Sequence, residues 1–416
     1  MKRLFGSWIF IVLMLALDIY VFQSLKLVTA SFSVRPRLII HGIYWSFTVI
    51  AVLLFLLLPY FSLETLPRFV RTYVFAIVTG FFIAKLVAAL FFLVDDLRRF
   101  LQWGGGKAIN LVNSNNPISD NSITRSVFLS WLGIGVGGGL FGTLLYGFSN
   151  KYRYRVEKVK LKFDKLPAPF RGMKLVHISD IHAGSLEDKE AVKKGVELIM
   201  AQKPDLVLFT GDLVNNVATE MDELKSVFSG IQAPMGVFSV LGNHDYGDYV
   251  RWNSDQEKVQ NLNNLKGVHR EMGWRLLLNE HQILEKDGHQ IALIGIENWG
   301  AKGNFSRYGD LGKAYAGTES HPFKILMSHD PSHWEAEVCK HYGDIDLMLS
   351  GHTHGMQFGV EIPGFRWSPV QYMYRQWAGV YSKTEQKLYV NRGFGFLGYP
   401  GRVGILPEIT LIELTS

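Results

Sequence analysis

The stretch DIDLMLSGHTHG, Asp344–Gly355, places two histidines one residue apart, directly after an apolar run that is typical of a buried β-strand. Glycines flank the two histidines on both sides. Taken alone, the pentapeptide GHTHG fits a polar turn after a strand as well as it fits a site that uses both imidazoles. The rest of the chain decides between these interpretations.

Four further apolar runs in the second half of the chain also end in a polar cluster. In chain order the clusters contain Asp180 and His182 in MKLVHISDIHAG, Asp212 in PDLVLFTGDLVNN, Asn243, His244 and Asp245 in GVFSVLGNHD, His329 in FKILMSHDP, and His352 and His354 in the opening stretch. Ligands of α/β sheets gather at the carboxyl ends of strands. We therefore expect the five clusters to form one site.

Helical periodicity separates some of these strands, most clearly in EDKEAVKKGVELIMAQK, Glu187–Lys203. The residues predicted on its apolar face are Val192, Val196, Leu198 and Ile199. Strands that alternate with such helices indicate an α/β organisation of this half of the chain.

The residue types in the clusters predict a metal centre. The candidate donors are carboxylate oxygens, imidazole nitrogens and one amide oxygen, which suit Mn²⁺, Fe²⁺, Zn²⁺ or Mg²⁺. The only cysteine is Cys339, so an internal disulfide and a thiolate metal cluster are both excluded. Seven donors are too many for one ion and suit two ions that share a carboxylate. Two such ions, about 3.5–4 Å apart, could hold a phosphoryl group and convert a bridging water to hydroxide.

The ordered set DIH, GD, GNHD, SHD and GHTH resembles the calcineurin-like metallophosphoesterase family over about Val156–Leu414. The tail NRGFGFLGYPGRVGILPEITLIEL is also similar to the end of the membrane-anchored bacterial branch of that family. The resemblance implies a four-layer αββα sandwich, of α+β or α/β class, with two divalent metal ions at the strand ends, Mn²⁺ being favoured.

The resemblance also implies a role for each matching residue. One ion would be bound by Asp180, His182 and His354, the other by Asn243, His329 and His352, and Asp212 would bridge them. His244 would contact the phosphate or protonate the leaving group, with Asp245 as its orienting partner. This chain departs from the family at Asn215, where the second motif usually has an aspartate.

The chain before residue 150 is dominated by long apolar segments. Four of them reach the roughly 20 residues that a spanning helix needs: Leu4–Phe22, Leu38–Phe61, Tyr73–Val94 and Val127–Phe148. We therefore predict two domains. Residues 1–150 form a multi-pass transmembrane domain of about four helices, and residues 151–416 form the metallophosphoesterase domain.

Two features of the apolar half call for an explanation. The G-x-x-x-G spacings Gly135–Gly139 and Gly138–Gly142 predict close helix packing. Asp18 and Lys85 lie inside apolar segments, where a charge is often functional. The alternative is that Asp18 lies near an interface and that Lys85 pairs or snorkels within the bundle.

The charge and hydropathy of the chain limit which partners and which location are expected. The formal net charge is +6 and aromatic residues make up 13%, while mean hydropathy is positive. This combination suits a membrane protein in contact with lipids, and no nucleic-acid partner is expected. Basic residues on the side of the second domain include Arg68, Arg71 and the run KYRYRVEKVKLK. Fewer basic residues, among them Arg35, Arg98 and Arg125, lie on the other side, and this asymmetry favours a cytoplasmic catalytic domain in the cell membrane.

These features predict a membrane-bound phosphoric ester hydrolase of class 3.1 or 3.6, acting on a phosphoester or pyrophosphate bond. Ile362–Tyr381 is dense in aromatics and contains Arg366 and Arg375, which fits headgroup contact or packing over a second sheet. Because the membrane branch includes enzymes resembling UDP-2,3-diacylglucosamine hydrolases, that lipid-linked diphosphate is a candidate substrate. The alternative is a non-catalytic, metal-stabilised membrane scaffold or receptor, against which the complete set of seven donors and His244 argues.

Overall fold

A computed structural model describes residues 2–57, 70–112 and 124–416. The chain forms two compact units, Met1–Tyr146 and Gly147–Ser416. The expected end of the second span at Phe61 and the basic residue Arg68 lie outside the described residues.

The first unit consists of apolar helices. They are α1 (Lys2–Val28), α2 (Val34–Leu57), α3 (Phe75–Val112) and α4 (Val127–Gly147), and a π-helical turn, Val70–Val74, precedes α3. The parts long and apolar enough to cross a membrane are Trp8–Val28, Val34–Leu57, Thr72–Gly105 and Val127–Asn150. The expectation of four apolar helices is confirmed in the described part of the chain.

Helix α4 packs closely against α3 at a glycine pair that the sequence analysis did not select. A Cβ atom on Gly137 would lie 2.7 Å from the backbone oxygen of Ala84, and one on Gly133 would lie 3.0 Å from that of Ala88. The predicted pairs Gly135–Gly139 and Gly138–Gly142 meet no neighbouring atom within 4 Å among the described residues. Those positions were wrong, because a sequence rich in glycines does not reveal which helix face meets the neighbour.

The second unit contains two six-stranded sheets and a short hairpin. The strands are β1 (Arg155–Lys162), β2 (Lys174–Ile178), β3 (Leu206–Phe209), β4 (Val237–Ser239), β5 (Arg275–Leu276), β6 (Glu280–Lys286), β7 (His289–Gly295), β8 (Lys324–Met327), β9 (Leu347–Ser350), β10 (Val360–Ile362), β11 (Phe365–Trp367), β12 (Gly379–Lys383), β13 (Gln386–Val390) and β14 (Glu408–Thr415). The helices are α5 (Lys189–Ala201), α6 (Lys225–Phe228), α7 (Asp255–Glu271), α8 (Leu311–Tyr315) and α9 (Cys339–His341). The strand orders are β1-β14-β2-β3-β4-β5 and β12-β13-β9-β8-β7-β6, and β10 pairs only with β11.

The layers follow from the alternation of side chains along the strands. Leu206 and Leu208 of β3 point into a core that they share with Ile325 and Met327 of β8. The alternate residues of β3 pack instead against α5 and α7, while α8 covers the outer face of the second sheet. The four-layer αββα sandwich is therefore confirmed.

Helix α5 shows how local sequence sets one of these elements. The Asp188 carboxylate accepts a hydrogen bond from the Ala191 N–H at 2.9 Å and caps the helix start, two residues later than predicted. Three of the four expected apolar residues are buried, but Leu198 is 38% exposed. The smaller Gly195 occupies the buried face instead, where a Cβ would collide with the ring of Phe394.

The strand directions position the site. Strands β2, β3 and β4 are mutually parallel, as are β8 and β9. Their carboxyl ends therefore open at common sheet edges, and each is followed directly by one of the polar clusters.

Candidate metal centre

The structure brings all seven predicted ligands together at the strand ends. Asp180 and His182 follow β2, Asp212 follows β3, Asn243 follows β4, His329 follows β8, and His352 and His354 follow β9. Each of the seven side chains is buried or nearly so. Burial of this many polar groups requires partners for their donors and acceptors.

The first group of donors contains Asp180, His182 and His354. The Nε2 atoms of His182 and His354 lie 3.0 Å apart, and the Oδ1 atom of Asp180 lies 3.4 Å from Nε2 of His354. The second nitrogen of His182, Nδ1, is buried without a hydrogen-bond partner in the described structure.

The second group contains Asn243, His329 and His352. The Nδ1 atom of His352 lies 2.9 Å from Oδ1 of Asn243 and 3.3 Å from Nε2 of His329. Asp212 lies between the groups, with Oδ2 at 3.2 Å from Nε2 of His329 and 3.5 Å from Nε2 of His182. The two histidines of GHTHG thus diverge into different groups.

These spacings fit coordination geometry. Ligand atoms about 2.0–2.1 Å from an ion, in tetrahedral or octahedral arrangement, are about 2.8–3.4 Å from one another. The donor pairs described above lie between 2.9 and 3.5 Å apart. The His329 ring is oriented by the Thr210 carbonyl, which lies 2.7 Å from Nδ1 and leaves Nε2 as the metal-binding atom.

The backbone at these residues is strained. Five of the seven candidate ligands have a positive φ: Asp180 (53°), His182 (49°), Asp212 (59°), His352 (70°) and His354 (50°). Such conformations cost about 1–3 kcal/mol each in non-glycine residues, and they cluster at functional sites. These five backbone conformations therefore lower the stability of the fold, and they direct the side chains toward the two donor groups.

Glycine is required beside the donors because the carboxylates of two candidate ligands lie against the glycine Cα positions. A Cβ atom on Gly351 would lie 2.1 Å from Oδ2 of Asp180, and one on Gly242 would lie 2.2 Å from Oδ1 of Asp212. Any larger residue would displace the carboxylate from the donor group. This explains the flanking glycine of the opening stretch.

Burial sets the protonation of the donors. It lowers the pKa of His182 to about 3 and that of His354 well below its ordinary value, so both rings are neutral at pH 7 and offer lone pairs. Burial also raises the pKa of Asp180 to about 6. For His329, burial acts to lower the pKa, but the Asp212 carboxylate outweighs it and raises the pKa to about 10.

His244 lies at the mouth of this site. Its Nδ1 is 2.8 Å from the backbone carbonyl oxygen of Asn215, and its ring packs on Tyr249 with 4.6 Å between ring centroids. When Nδ1–H donates to that carbonyl, Nε2 becomes the ring atom that can contact a substrate.

Asp245 does not orient His244 as the sequence suggested. Its buried carboxylate accepts hydrogen bonds from the backbone N–H groups of Gly242, Asp212, Leu213 and Val214, at 2.8–3.2 Å. It therefore holds the loops after β3 and β4 together. The expectation was wrong because neighbours in sequence point in different directions within this turn.

The sequence analysis missed three supporting contacts. The carbonyl of Asn215 orients His244, and the hydroxyl of Tyr374 lies 2.9 Å from Nε2 of His352. Arg402 is fully buried and donates to the backbone carbonyls of Arg392 at 2.7 Å and His354 at 3.2 Å. Arg402 lies in the tail that resembles the membrane-anchored branch, but no role was predicted for it, and a backbone carbonyl leaves no sequence signal.

A pocket of about 380 Å³ opens above the donors. Its floor is formed by candidate ligands and His244, and the surrounding wall includes Lys302, Phe305, Met356, Val370, Met373 and Leu397. A charged floor with a largely apolar wall suits a substrate that combines a phosphoryl group with an apolar portion.

Comparison with known proteins identifies the family. Residues 173–356 match the family described as "Calcineurin-like phosphoesterase", and residues 2–151 match "Probable Calcineurin-like phosphoesterase, transmembrane domain". The metallophosphoesterase YkuE of Bacillus subtilis (strain 168) is 30% identical over 260 residues, covering 62% of this chain and 84% of YkuE. The chain belongs to the calcineurin-like phosphoesterase family.

Two further relatives bear on the membrane half and on the chemistry. A "Transmembrane protein with metallophosphoesterase domain" of Danio rerio is 30% identical over 278 residues, which cover 65% of this chain and 60% of that protein. The "UDP-2,3-diacylglucosamine pyrophosphatase LpxG" of Chlamydia trachomatis is 27% identical over 287 residues, covering 58% of this chain and 83% of LpxG. The chain is a membrane member of this phosphoester hydrolase family, whose members bind two divalent metal ions.

Proposed function

We propose that this protein hydrolyses a phosphoester or pyrophosphate bond in a lipid-linked substrate, with UDP-2,3-diacylglucosamine as the named candidate. The observation that carries the proposal is the convergence of two groups of nitrogen and oxygen donors beneath a pocket with a largely apolar wall. The similarity to LpxG supports the same substrate class.

In this proposal Asp180, His182 and His354 would hold one ion, Asn243, His329 and His352 would hold the other, and Asp212 would contribute to both. When bound, the two ions supply an activated water and neutralise charge on the phosphoryl group. Nitrogen and oxygen donors without thiolate suit Mn²⁺, Fe²⁺, Zn²⁺ or Mg²⁺, and we favour Mn²⁺ from the family resemblance.

His244 performs the chemistry that the chain itself contributes. The Asn215 carbonyl accepts from Nδ1–H of His244 and holds the ring, so that Nε2, when the ring is in its imidazolium form, can donate a hydrogen bond to a phosphoryl oxygen or a proton to the leaving oxygen. The oxygen of the Asn243 side chain is aimed inward because its amide nitrogen donates to the hydroxyl of Tyr249 at 2.8 Å.

The experiment compares His244→Ala and Asp212→Asn with His289→Ala, which alters an exposed histidine on β7. His244→Ala should keep its metal and lose most hydrolysis of bis-p-nitrophenyl phosphate, while Asp212→Asn should lose both. His289→Ala should behave as the parent. If the purified, metal-loaded parent is as inactive as His244→Ala across phosphomonoesters, phosphodiesters and UDP-2,3-diacylglucosamine, the scaffold alternative replaces this proposal.

We further propose that residues 1–150 form the membrane domain and 151–416 the catalytic domain, and that the latter faces the cytoplasm. The basic residues of β1, Arg155, Lys158, Lys160 and Lys162, belong to a folded sheet and not to a short membrane loop, so they carry little weight in that assignment. Protease digestion of sealed vesicles is the direct test. Protease added outside should cleave the second unit in inside-out vesicles, whose cytoplasmic face points outward, and should spare it in right-side-out vesicles. Cleavage only in right-side-out vesicles would reverse the assignment.

A further inference from the structure

The segment that follows GHTHG exposes apolar side chains to solvent. We call them the apolar hairpin surface: Met356, Val360, Ile362, Phe365, Tyr372 and Met373, with Ile362 59%, Phe365 52% and Tyr372 78% exposed. Three of them, Val360, Ile362 and Phe365, lie on the β10–β11 hairpin. A contiguous patch of this kind marks an interaction surface.

The same segment also contains residues that do pack inward. Val370, Tyr374 and Trp377 form a small buried core with Ala378 and Ile405. Part of Ile362–Tyr381 is therefore packed, although against this small core and not over a second sheet. The exposed apolar residues extend from this packed base.

Hydrogen bonds within the second unit connect this surface to the point where the chain leaves its last candidate span. Gly147–Asn150, which end that span, belong to the second unit, and the Gly147 carbonyl accepts from the N–H of Arg402 at 2.9 Å. The next residue, Val403, exchanges backbone hydrogen bonds with Gln357 and Gly359 at 2.8 and 2.9 Å. Strand β10 begins at Val360, directly after Gly359. The hairpin therefore lies beside the segment by which the chain enters the second unit.

The surface is also continuous with the pocket. Met356 and Met373 are both exposed, at 51% and 60%, and both line the pocket above the metal-binding donors. The exposed side chain of Lys302 lies at the same rim, with its Nζ 5.5 Å from the ring centroid of Tyr374. An apolar tail could pass along this rim while a phosphate reaches the floor.

We propose that the apolar hairpin surface contacts the lipid bilayer, and that it gives a membrane-embedded substrate direct access to the pocket. Apolar and aromatic side chains beside basic ones favour the boundary between headgroups and acyl chains. Arg366, whose guanidinium lies 5.1 Å from the ring centroid of Trp377, adds attraction to anionic lipids. The access step rests on the proposed function, whereas the bilayer contact does not.

The test of contact uses the full chain in nanodiscs. Because Cys339 is the only cysteine, a Cys339→Ser background allows one bimane label at a time through Ile362→Cys, Phe365→Cys or Val259→Cys. Val259, 58% exposed on α7, matches Ile362 in exposure. Lipids with a nitroxide on the acyl chain should quench the labels at 362 and 365 at least about two-fold more than the label at 259, as immersion of about 5–10 Å requires. Equal quenching at all three positions, or none at 362 and 365, would overturn the contact.

The test of access compares two substrates. The Ile362→Ser/Phe365→Ser variant should hydrolyse soluble bis-p-nitrophenyl phosphate as the parent does, but hydrolyse UDP-2,3-diacylglucosamine in vesicles about ten-fold more slowly, because two apolar anchors are lost. Val259→Ser is the matched control and should keep both rates. Equal losses on both substrates would overturn the access role. A parent that is inactive on both would instead count against the proposed function, leaving the quenching result to stand alone.

Discussion

Replacing Asp245 with asparagine tests whether this carboxylate supports the site or serves His244. Its Oδ2 accepts from the N–H groups of Gly242 and Asp212 at 2.8 and 2.9 Å, and its Oδ1 accepts from Leu213 and Val214 at 2.8 and 3.2 Å. Asparagine has the same shape but only one acceptor oxygen. Two of the four N–H groups would therefore face an NH₂ group and lose their partner.

The magnitude follows from those contacts. A hydrogen bond to a charged acceptor contributes about 1.5–3 kcal/mol, so two lost bonds should lower the free energy of unfolding by about 3–6 kcal/mol. For a domain of this size, each kcal/mol shifts Tm by about 2–4 °C, which gives a decrease of roughly 6–24 °C. Because the Asp212 backbone is one of the donors, metal content should fall as well.

The assay combines thermal unfolding of the full chain in detergent, metal analysis and hydrolysis, with His244→Ala as the comparison. His244→Ala should leave Tm and metal content near those of the parent, since His244 is partly exposed at the pocket. If Asp245→Asn keeps the parent's Tm and metal content, and loses only hydrolysis with a shifted pH profile, then Asp245 acts through His244 and the structural reasoning is refuted.

Two further predictions concern buried charges elsewhere. Asp18 and Lys85 form a buried ion pair within the first unit, so Asp18→Asn or Lys85→Met alone should destabilise the helices by about 3–5 kcal/mol. The double variant should recover most of that loss, because no unpaired charge stays buried. Unfolding in nanodiscs measures these losses, and additive losses in the double variant would contradict this prediction. His269 is fully buried, and burial lowers its pKa to about 3, while the unfolded chain has a value of about 6.5. The unfolded state therefore binds the extra proton between those pH values, and stability falls as pH falls, by about 1.4 kcal/mol per pH unit. His269→Gln should make the decline of Tm below pH 6.5 less steep, and an unchanged slope would exclude His269 as its source.

The membrane half was predictable in outline but not in its contacts. Apolar length alone predicted the helices, since the bilayer demands about 20 such residues whatever their neighbours. The partner of Lys85 and the choice of Gly133 and Gly137 for packing against α3 depend on how helices are rotated about their axes. A helix with apolar residues on all sides carries little information about that rotation.

In the second unit, the sequence by itself determined the alternation of strands with helices and the gathering of Asp180, Asp212 and His352, whereas the four-layer sandwich was implied by the family resemblance. Strand periodicity is local, and the ends of neighbouring parallel strands must meet at one edge whatever the side chains are. Tertiary structure alone decided that Asn215 orients His244, that Asp245 binds backbone amides, and that Arg402 supports the carbonyl of His354. These partners are distant in sequence or are backbone atoms, which every residue has. Only the packed fold therefore shows which of them contacts which side chain.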